Sequence, residues 1–521
     1  MKSSDVIVIG AGHNGLAAAT SLSMRGVKVL LLEAAESAGG MMRNHELAPG
    51  FRVSRAAHLV HRLTPATVER LALRQHGLEY AATAVPTVCL SSGNEPVVLR
   101  GRWGETVEGV SGDEAGAWGG LRERLLFQAG LLGRFDGEIP VQPGAAGHGQ
   151  KLALARAGLA LRMAGTGEFR QFLRMALMCA ADIGEEVLHD DRLKGLLAFD
   201  ATLGIGLGPR SPTSVLGLYH RLSGVTEGGH AALVSVKGGT GALAAAFANA
   251  ARAAGVELRA SCPVASIEVG TAGVAGVRLA NGETVSAPKV VSAASPVTTF
   301  RDLVGPRHLD TGFMREVRHL RHGGNVAKLN LALSAPPRFE GTEAGLAGAR
   351  FVYAPSIDHV EASYNPTKYG ELPEDPPFEL VVESASDPTM APAGSASVSV
   401  IISNVPHDLK QGWDTGRDKL MKRVLARLEA HAPGIAQTIV ASELLAPPDL
   451  GATFGVPGGH WHHVEYQGDR LYALRPVFGA AHYRSPVDGL YLCGAGTHPG
   501  GGISGQSGLN AADQVLRDLE Q

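Results

Sequence analysis

The sequence predicts an α/β domain that is discontinuous in the chain, with a second domain of mixed helices and strands inserted into it. The chain as a whole is therefore predicted to be α+β. Strand–loop–helix units occur at the start, in the middle and at the end of the chain, and long segments of different character separate them. With 521 residues, the chain is too long for one ordinary compact domain. Apolar residues make up 45%, which is enough for more than one buried core.

The first unit begins a few residues from the N-terminus. Residues 6–9 read Val-Ile-Val-Ile, a β-branched run that is typical of a parallel strand covered on both faces. A helix is predicted over residues 15–25, because its apolar residues recur on one face and Gly26 can end it. Residues 27–32 form a second strand, which ends at Glu33. The pattern predicts one strand–helix–strand unit.

The middle and the end of the chain return to this pattern. An Ala-rich helix is predicted over residues 240–254, and Asn281-Gly282 indicates a hairpin turn. A late strand, Leu490–Cys493, precedes a Gly-rich loop and a helix over residues 508–519. Further strands are predicted at residues 256–259, 264–269, 274–279 and 290–292.

These units divide the chain into two predicted domains. Residues 1–60, 236–300 and 481–521 form the discontinuous dinucleotide-binding domain. Residues 61–235 and 301–480 form the substrate domain, and the first of these segments supplies a helical insert rich in Leu, Ala and Arg. Within the insert, residues 151–178 are predicted as a surface helix with one buried face, and contact with a membrane surface is the alternative.

Charge and cysteine content exclude several classes of protein. The 47 basic and 50 acidic residues give a net charge of −3 without a basic stripe, so nucleic acid is not an expected partner. The four cysteines lie far apart and form no Cys-x-x-Cys pair, which argues against a redox disulfide and a cysteine-rich zinc site. A reducing, cytoplasmic compartment is the simplest interpretation. No uninterrupted apolar stretch is long enough to predict a transmembrane helix.

A Gly-rich motif joins the first predicted strand to its helix. The first glycine, Gly10, permits a tight turn, Gly12 allows the backbone to approach a pyrophosphate, and Gly15 allows helix and strand to pack closely. The helix N-terminus offers free N–H groups to the phosphates. Glu33 is placed to accept hydrogen bonds from the adenosine ribose hydroxyls. The motif and its context therefore predict a dinucleotide site.

A second Gly-rich loop near the C-terminus favours FAD over NAD. Residues 494–505 contain six glycines and precede the last predicted helix. A nicotinamide nucleotide needs one such loop, whereas the longer FAD can use a second helix N-terminus at the end of the flavin where negative charge gathers on reduction. We therefore expect FAD as the cofactor.

The two motifs together resemble the glutathione-reductase-type Rossmann fold of flavin amine oxidases and phytoene desaturases. The stretch Asp488-Gly-Leu-Tyr-Leu-Cys-Gly-Ala-Gly-Thr-His-Pro-Gly-Gly-Gly-Ile-Ser-Gly resembles the phytoene desaturase group closely, as do residues 216–243 and 470–512 in type. Within that group the chain is most similar, over nearly its whole length, to the branch named pyridine nucleotide-disulfide oxidoreductase domain-containing protein two. The missing Cys-x-x-Cys does not support the disulfide chemistry of that name.

The resemblance implies which residues contact FAD. Val264 matches the position whose backbone meets the adenine, and the C-terminal loop matches the segment along the ribityl chain and the flavin ring. Ala495 stands where many members of the wider fold have an acid, a departure that the phytoene desaturase group shares. The implied FAD-binding residues are Gly10, Gly12, His13, Asn14, Gly15, Glu33, Ala34, Gly39, Gly40, Met41, Met42, Arg43, Val264, Gly494, Ala495, Gly502, Ile503 and Ser504.

Histidines supply the first candidates for the catalytic residues. In Gly-Gly-His-Trp-His-His-Val-Glu, His460 and His462 would share one face of a strand. They are interpreted either as structural histidines or as proton carriers beside the flavin. No metal site is expected, because histidines on one short strand rarely supply three converging ligands. Tyr219 and His220 are secondary candidates, while His498 is interpreted as part of the loop structure.

Lys328 is the remaining candidate. It interrupts the apolar strand Val-Ala-Lys-Leu-Asn-Leu-Ala-Leu at residues 326–333, so it lies either at a sheet edge, reaching solvent, or in the interior for a purpose. The resemblance implies the second alternative, because its position is similar to that of the lysine that faces the flavin in amine oxidases.

The sequence thus predicts an FAD-dependent dehydrogenase, desaturase or oxidase that takes hydride from a small or lipophilic organic substrate. Isomerisation of a polyene and oxidation of a C–N or C–OH bond are alternatives, and the electron acceptor stays open among oxygen, quinone and NAD(P). A non-catalytic carrier resembling GDP-dissociation inhibitors is a distant alternative. Its relatives have lost the flavin determinants, whereas both Gly-rich loops are intact here.

Overall fold

The computed structural model describes residues 4–91, 95–140 and 148–520. Its first layer is a five-stranded sheet in which every neighbouring pair is parallel. The strand order places the first strand of the chain at the centre. In that order, the strands are β12 (Glu257–Arg259), β2 (Val29–Leu32), β1 (Val6–Ile9), β16 (Lys289–Ser292) and β22 (Leu490–Leu492).

This parallel sheet forms as the sequence predicts, because its strands are apolar on both faces. All residues of β1 and β2 are buried. On one face, Val6, Val8 and Leu31 pack with α1 (His13–Ser23), α8 (Gly239–Ala253) and α14 (Gln506–Leu519). The three helices come from the three parts of the chain that were predicted to assemble. The division into two domains itself stays a prediction.

A second, eight-stranded sheet forms the other large layer. Its strand order is β21 (Ile439–Leu445), β17 (Val326–Leu333), β20 (Ala396–Ser403), β19 (Phe378–Val382), β18 (Arg350–Tyr353), β6 (Thr87–Cys89), β7 (Val97–Arg100) and β8 (Thr106–Glu108). Strand β17 pairs with a neighbour on each side, and all of its residues are buried. Lys328 therefore does not lie at a sheet edge, and the solvent-exposed alternative for it is wrong.

Smaller elements connect the two layers. The turn Asn281-Gly282 forms as predicted, between β14 (Gly273–Leu279) and β15 (Thr284–Ser286), and β13 (Val264–Gly270) completes that three-stranded sheet. The remaining pairs are β3 (Asn44–Ala48) with β4 (Phe51–Ser54), β5 (Tyr80–Ala82) with β11 (Ser235–Val236), and β9 (Val225–Thr226) with β10 (Gly229–His230).

The remaining helices pack around the two large sheets. One group shares a core that contains Trp118, Leu197, Phe199 and Leu218, and it comprises α3 (Gly112–Gly133), α5 (Ala180–Val187), α6 (Asp191–Thr202) and α7 (Val215–Leu222). The others are α2 (Pro65–Arg70), α4 (His148–Met175), α9 (Thr311–Arg318), α10 (Ile357–Tyr364), α11 (Glu383–Ser386), α12 (Trp413–His431) and α13 (Pro447–Phe454).

The state of the cysteines and the character of the helices bear on the predicted redox and membrane properties. All four cysteines are free, and burial raises the pKa of Cys89 to about 12, so the structure offers no disulfide. No helix within the described ranges is long and apolar enough to cross a membrane.

Candidate functional site

The Gly-rich turn between β1 and α1 leaves an open space at its centre. A Cβ atom on Gly15 would lie 1.9 Å from the carbonyl oxygen of Gly10, so this glycine is needed for the turn itself. A Cβ atom on Gly12 would meet nothing within 4 Å, and its φ of −71° strains no residue type. Protein packing therefore explains the glycine at position 15 but not the one at position 12. The free space at Gly12 is the place where the motif predicts a pyrophosphate.

Polar groups around this space have no hydrogen-bond partners in the part of the chain that the structure describes, as expected where a dinucleotide binds. No side chain caps the N-terminus of α1. Among the described residues, nothing bonds the buried Nε2 of His13 or the buried Oδ1 of Asn14. Buried polar atoms without partners are costly, so such atoms mark a place that a ligand completes. The residues present here fit FAD.

Glu33 is fixed at the end of β2, beside the Gly-rich turn. Its two carboxylate oxygens accept hydrogen bonds from the backbone N–H groups of Ala11 at 2.6 Å and Ala35 at 2.9 Å. Carboxylate oxygens have lone pairs for further donors. Its bonding of the ribose hydroxyls, and the contact of Val264 at the start of β13 with the adenine, stay predictions.

The Gly39–Arg43 segment reaches the same turn. Gly39 and Gly40 have φ values of +128° and +54°, and a Cβ atom on Gly40 would lie 3.2 Å from the Cα atom of Gly12. Arg43 is held by the carbonyl oxygens of Gly40 and Thr453 at 3.2 and 3.1 Å. The segment between them, Met41-Met42, faces the interior cavity described next.

The second Gly-rich loop meets the first at this cavity. Gly502 has a φ of +100°, and burial lowers the pKa of His13 to about 4, although a hydrogen bond between His13 and the backbone of Gly502 opposes the shift. The oxygen Oγ of Ser504 accepts a hydrogen bond from the backbone N–H of Gln506 at 3.1 Å, which orders the start of α14. Gly502 and Ile503 line the cavity, whereas Gly494 and Ala495 lie at the start of the loop, which follows β22, and do not line it.

An interior cavity of ≈ 150 Å³ lies between the Gly-rich segments and the eight-stranded sheet. One end is lined by His13, Met41, Met42, Gly502 and Ile503, five of the residues predicted to bind FAD. The rest of the wall is largely apolar but carries three charged side chains and four histidines. The wall comprises Ala56, Ala57, His58, Leu59, His61, Asp200, Leu203, Ile205, Gly217, His220, Arg221, Leu233, Glu379, Ile401, Trp461 and His462.

The histidines around the cavity are neutral near physiological pH. Burial, reinforced by the charge of Lys328, lowers the pKa of His58 to about 4. Burial also lowers the pKa values of His61, His220 and His462 well below their usual range, with nearby arginines adding to the effect at each. Neutral imidazoles can donate and accept hydrogen bonds without introducing charge.

These buried histidines are expected to make the protein sensitive to mild acid. An unfolded histidine binds a proton below pH of about 6.5, whereas His13, His58 and His498 in the folded protein do so only near pH 4. These groups therefore cost no stability above about pH 6.5, where they are neutral in both states, and they destabilise the folded protein increasingly as the pH falls toward 4. Asp136, whose pKa burial raises to about 6, and Glu383, whose pKa burial also raises, oppose this trend.

Thermal unfolding followed by tryptophan fluorescence checks this expectation. The midpoint should fall steeply between about pH 6.5 and 4.5, because each buried histidine contributes roughly 1.4 kcal/mol per unit of pKa shift. A midpoint that stays constant across this window would contradict the buried, neutral state of the histidines.

A buried network of ion pairs runs along the cavity wall. The ammonium of Lys328 donates to Oγ of Ser399 and lies 3.3 Å from Nδ1 of His58. The other ring nitrogen of His58 lies 2.9 Å from a carboxylate oxygen of Glu379. Arg350, which is fully buried, joins Glu379 at 2.5 Å to Asp200 at 2.6 Å.

The structure brings two of the predicted catalytic residues to the cavity. His462 and His220 both line it, with ring centres 5.4 Å apart, and both bond Gly501: Nδ1 of His462 accepts from its N–H, and Nε2 of His220 lies 3.1 Å from its carbonyl oxygen. Tyr219 and His460 do not line the cavity. Tyr219 donates to Gln128, and His460 lies 3.6 Å from Glu465.

The prediction that His460 and His462 share the face of a strand is wrong. Residues 460–464 form a turn, in which His463 has a φ of +62°. Gly458 and Gly459, both with φ of +69°, precede the turn and break the extended path. The two imidazole rings still lie with their centres 5.7 Å apart, but only that of His462 reaches the cavity.

Lys328 lies on the cavity side of β17 but does not itself line the cavity. It stands opposite Ile401 of β20, and residues opposite each other in an antiparallel pair share a face. Ile401 reaches the cavity, whereas the ammonium of Lys328 is covered by His58 and Ser399. Burial lowers the pKa of Lys328 to about 8, although nearby Glu383 and Glu379 oppose the shift.

Sequence reasoning missed most of the charged wall. A signal for Glu379 existed, because it interrupts the apolar strand Phe-Glu-Leu-Val-Val just as Lys328 interrupts its own. Arg350 opens an apolar strand in a similar way. His58, Asp200 and Arg221 carried no pattern in the sequence that separates them from ordinary polar residues.

Comparison with known proteins places this site in a family. The family described as flavin containing amine oxidoreductase matches residues 15–516. A protein of Rattus norvegicus, pyridine nucleotide-disulfide oxidoreductase domain-containing protein 2, is 33% identical, and the alignment covers 99% of this chain and 94% of that protein. Hydroxyneurosporene desaturase of Cereibacter sphaeroides is 25% identical, with coverage of 99% and 98%.

The fold has relatives among solved structures. Cyclohexylamine oxidase from Brevibacterium oxydans IH-35A superposes with a TM-score of 0.63 and covers 100% of both chains at 17% identity. This likeness confirms the mixed α/β fold of the flavin amine oxidase type. At this level of identity it carries no information about the substrate.

Proposed function

The chain belongs to the flavin containing amine oxidoreductase family and is an FAD-dependent oxidoreductase; from this premise we propose that it takes hydride from a lipophilic organic substrate held in the interior cavity. The observation that carries the proposal is the position of that cavity. Residues of both Gly-rich segments form one end of it, and mainly apolar side chains form the remainder.

FAD, when bound, supplies the hydride acceptor at its flavin ring. The residues at Gly12, His13 and Asn14 would hold the pyrophosphate, and Glu33 would hold the ribose. Met41, Met42, Gly502 and Ile503 would then face the ring. These assignments agree with the free space at Gly12 and the unpartnered atoms beside it.

The cavity walls would bind and orient the substrate. Leu203, Ile205, Leu233, Ile401 and Trp461 offer apolar surface and exclude water. Hydride transfer requires a close, aligned approach of the reacting atoms, which the walls can enforce. Exclusion of water prevents side reactions at the reacting atoms. The neutral His220 and His462 are placed to orient the substrate or to take up a proton from it.

The proposal also assigns a role to each main part of the fold. We assign the five-stranded parallel sheet with its three helices to the glutathione-reductase-type FAD-binding domain, and helices α3–α7 to a cover over the cavity. Support comes from His220 and Arg221, which project from the end of α7 into the cavity.

Contact with a membrane surface would give an apolar substrate a route to this cover. On α4, the exposed fractions of Leu159, Met163 and Leu173 are 56%, 78% and 51%, and Arg156 and Arg162 lie exposed beside them. The backbone of Gly165 is not helical and divides α4, so Leu159 and Met163 lie on the first half with both arginines, and Leu173 lies on the second half. Exposed apolar and basic side chains on that first half suit the interface of an anionic membrane.

Amine oxidation is a second candidate. Two carboxylates, Asp200 and Glu379, line the cavity, and a carboxylate can bind a substrate ammonium. The two candidates differ in the charge of the substrate.

Anaerobic reduction of the flavin tests the proposed function. The protein as purified is mixed without oxygen with matched lipophilic alcohols, acids, alkenes and amines, and bleaching of the flavin absorbance is followed. We expect bleaching by at least one apolar compound, and reoxidation by oxygen, quinone or NAD(P)+ then identifies the acceptor. A protein that contains FAD but is bleached only by short, highly polar compounds would contradict the proposal.

Lys328→Met is expected to keep FAD bound but to slow flavin reduction or reoxidation. A cation near the flavin favours its electron-rich reduced state, and the proposed FAD contacts lie elsewhere. The loss should be about tenfold or more, roughly 1.4 kcal/mol in barrier. The pH profile of the wild-type rate should also change near pH 8, where Lys328 titrates, and this change should vanish in the variant.

Stopped-flow measurements of both half-reactions check this expectation. Lys237→Met serves as the control, because Lys237 is an exposed lysine that pairs with Glu79 and does not line the cavity. Rates within about twofold of wild type for both half-reactions of Lys328→Met would end the functional role of this lysine.

A further inference from the structure

Arg221, the last basic residue of α7, has hydrogen-bonding capacity that the protein leaves unused. Its Nε atom lies 3.2 Å from Oδ1 of Asp200. Within the described part of the chain, no group bonds either of its two terminal nitrogens. The side chain lines the cavity and keeps 13% of its surface accessible. The open part of the guanidinium therefore belongs to the cavity wall.

The carboxylates of the wall, in contrast, are already occupied. The oxygens of Asp200 meet Nε1 of Trp103 at 2.9 Å, Arg350 at 2.6 Å and Arg221 at 3.2 Å. The oxygens of Glu379 meet Arg350 at 2.5 Å and Nε2 of His58 at 2.9 Å. An ammonium entering the cavity would have to compete with two buried arginines for these oxygens.

The position of Arg221 is fixed by this arrangement. Asp200 anchors its Nε side, and Trp103 and Arg350 in turn hold Asp200. Burial, reinforced by the charge of Arg350, lowers the pKa of Arg221 from its usual value, so the surroundings disfavour its charge. A buried guanidinium whose terminal nitrogens lack hydrogen-bond acceptors is stabilised by an anion that binds them.

We propose that the cavity binds a substrate that carries a carboxylate, held by the terminal nitrogens of Arg221. A guanidinium fork matches the two oxygens of a carboxylate in geometry and charge. The apolar wall formed by Leu203, Ile205, Leu233 and Trp461 takes the rest of the molecule. The substrate class is thus an apolar carboxylic acid. This inference rests on the proposed function, which makes the same cavity the substrate site.

Calorimetric titration of the flavin-containing protein tests the inference directly. The probes are octanoate, octylamine and octanol, which share one apolar chain and differ in charge. We expect octanoate to bind at least about tenfold more tightly than either of the others. Tightest binding of octylamine, or no binding of octanoate, overturns the inference.

Variants locate the preference at Arg221. Arg221→Met should lower the affinity for octanoate about tenfold or more and change that for octanol by less than about twofold. Arg221→Lys keeps the positive charge without the fork and should bind octanoate with intermediate affinity. Arg210→Met is the control, because Arg210 pairs with Glu185 at the surface. An octanoate preference that survives in both Arg221 variants overturns the inference.

The inference can still be tested if Arg221→Met fails to fold. The ranking of the three probes on the wild-type protein and the measurement on Arg221→Lys do not depend on that variant. It also separates this inference from the proposed function. Binding is measured without turnover, so octanoate preference in a protein whose flavin no substrate reduces contradicts only the function. Flavin reduction by amines, with no octanoate binding, contradicts only the inference.

Discussion

Gly12→Val is expected to give a folded protein that binds no FAD. The new side chain would point into space that no protein atom occupies within 4 Å of its Cβ, so the fold itself should tolerate it. The same space is where the pyrophosphate is expected to lie, and a valine there would exclude it. Flavin content after purification should fall from near stoichiometric to below about a tenth, equivalent to more than about 1.4 kcal/mol in binding.

Two further glycines make this result specific. Gly116→Val adds the same side chain at another position with nothing within 4 Å, on α3, and should leave flavin content unchanged. Gly15→Val should damage the fold itself, because its Cβ would overlap the carbonyl oxygen of Gly10. Circular dichroism and the thermal midpoint report folding independently of flavin. A folded Gly12→Val protein that is still fully yellow would refute the placement of the cofactor.

Arg350→Met is expected to destabilise the protein by about 3–5 kcal/mol, because two buried carboxylates would lose their shared counter-ion. Arg350 is 0% exposed and joins Asp200 to Glu379. Surface networks behave differently. Arg210 also bridges two carboxylates, Glu185 and Asp358, but its side chain is 40% exposed, so Arg210→Met should cost less than about 1 kcal/mol.

Urea midpoints and thermal midpoints at one scan rate compare these variants. Adding Glu379→Gln to Arg350→Met should recover part of the loss, since it removes one of the unpaired charges. Equal effects of Arg350→Met and Arg210→Met, or a further loss in the double variant, would contradict the network as the cause.

The parallel sheet could be predicted from local pattern alone. Strands β1, β2 and β22 are short apolar runs, and β1 and β22 precede Gly-rich loops. The observed helix α1 begins at His13, two residues before its predicted start. A continuous apolar run predicts a strand that is buried on both faces. The local sequence of residues 6–9 and 29–32 is therefore enough to predict that they lie inside the sheet.

The charged wall of the cavity could not be predicted in this way. Glu379 and Asp200 of the wall, and Lys328 behind it, lie far apart in the chain. The strand register of the second sheet places Lys328 and Glu379 on either side of Ile401, and the packing of α6 brings Asp200 to them. The turn at His460–His463 likewise depends on left-handed backbone at Gly458, Gly459 and His463, which the alternation of residue types does not reveal. Sequence pattern therefore predicted the Gly-rich segments at one end of the cavity but missed most of the charged residues at the other.

The central claim is that FAD runs from the Gly-rich turn to the interior cavity, where its flavin ring meets the substrate. A crystal structure of the protein with its bound flavin tests this most directly. We predict the pyrophosphate over Gly12, and the flavin ring in the cavity against Met41, Met42, Gly502 and Ile503. A flavin ring bound outside this cavity, with Arg221 and His462 remote from its reacting face, would contradict the account.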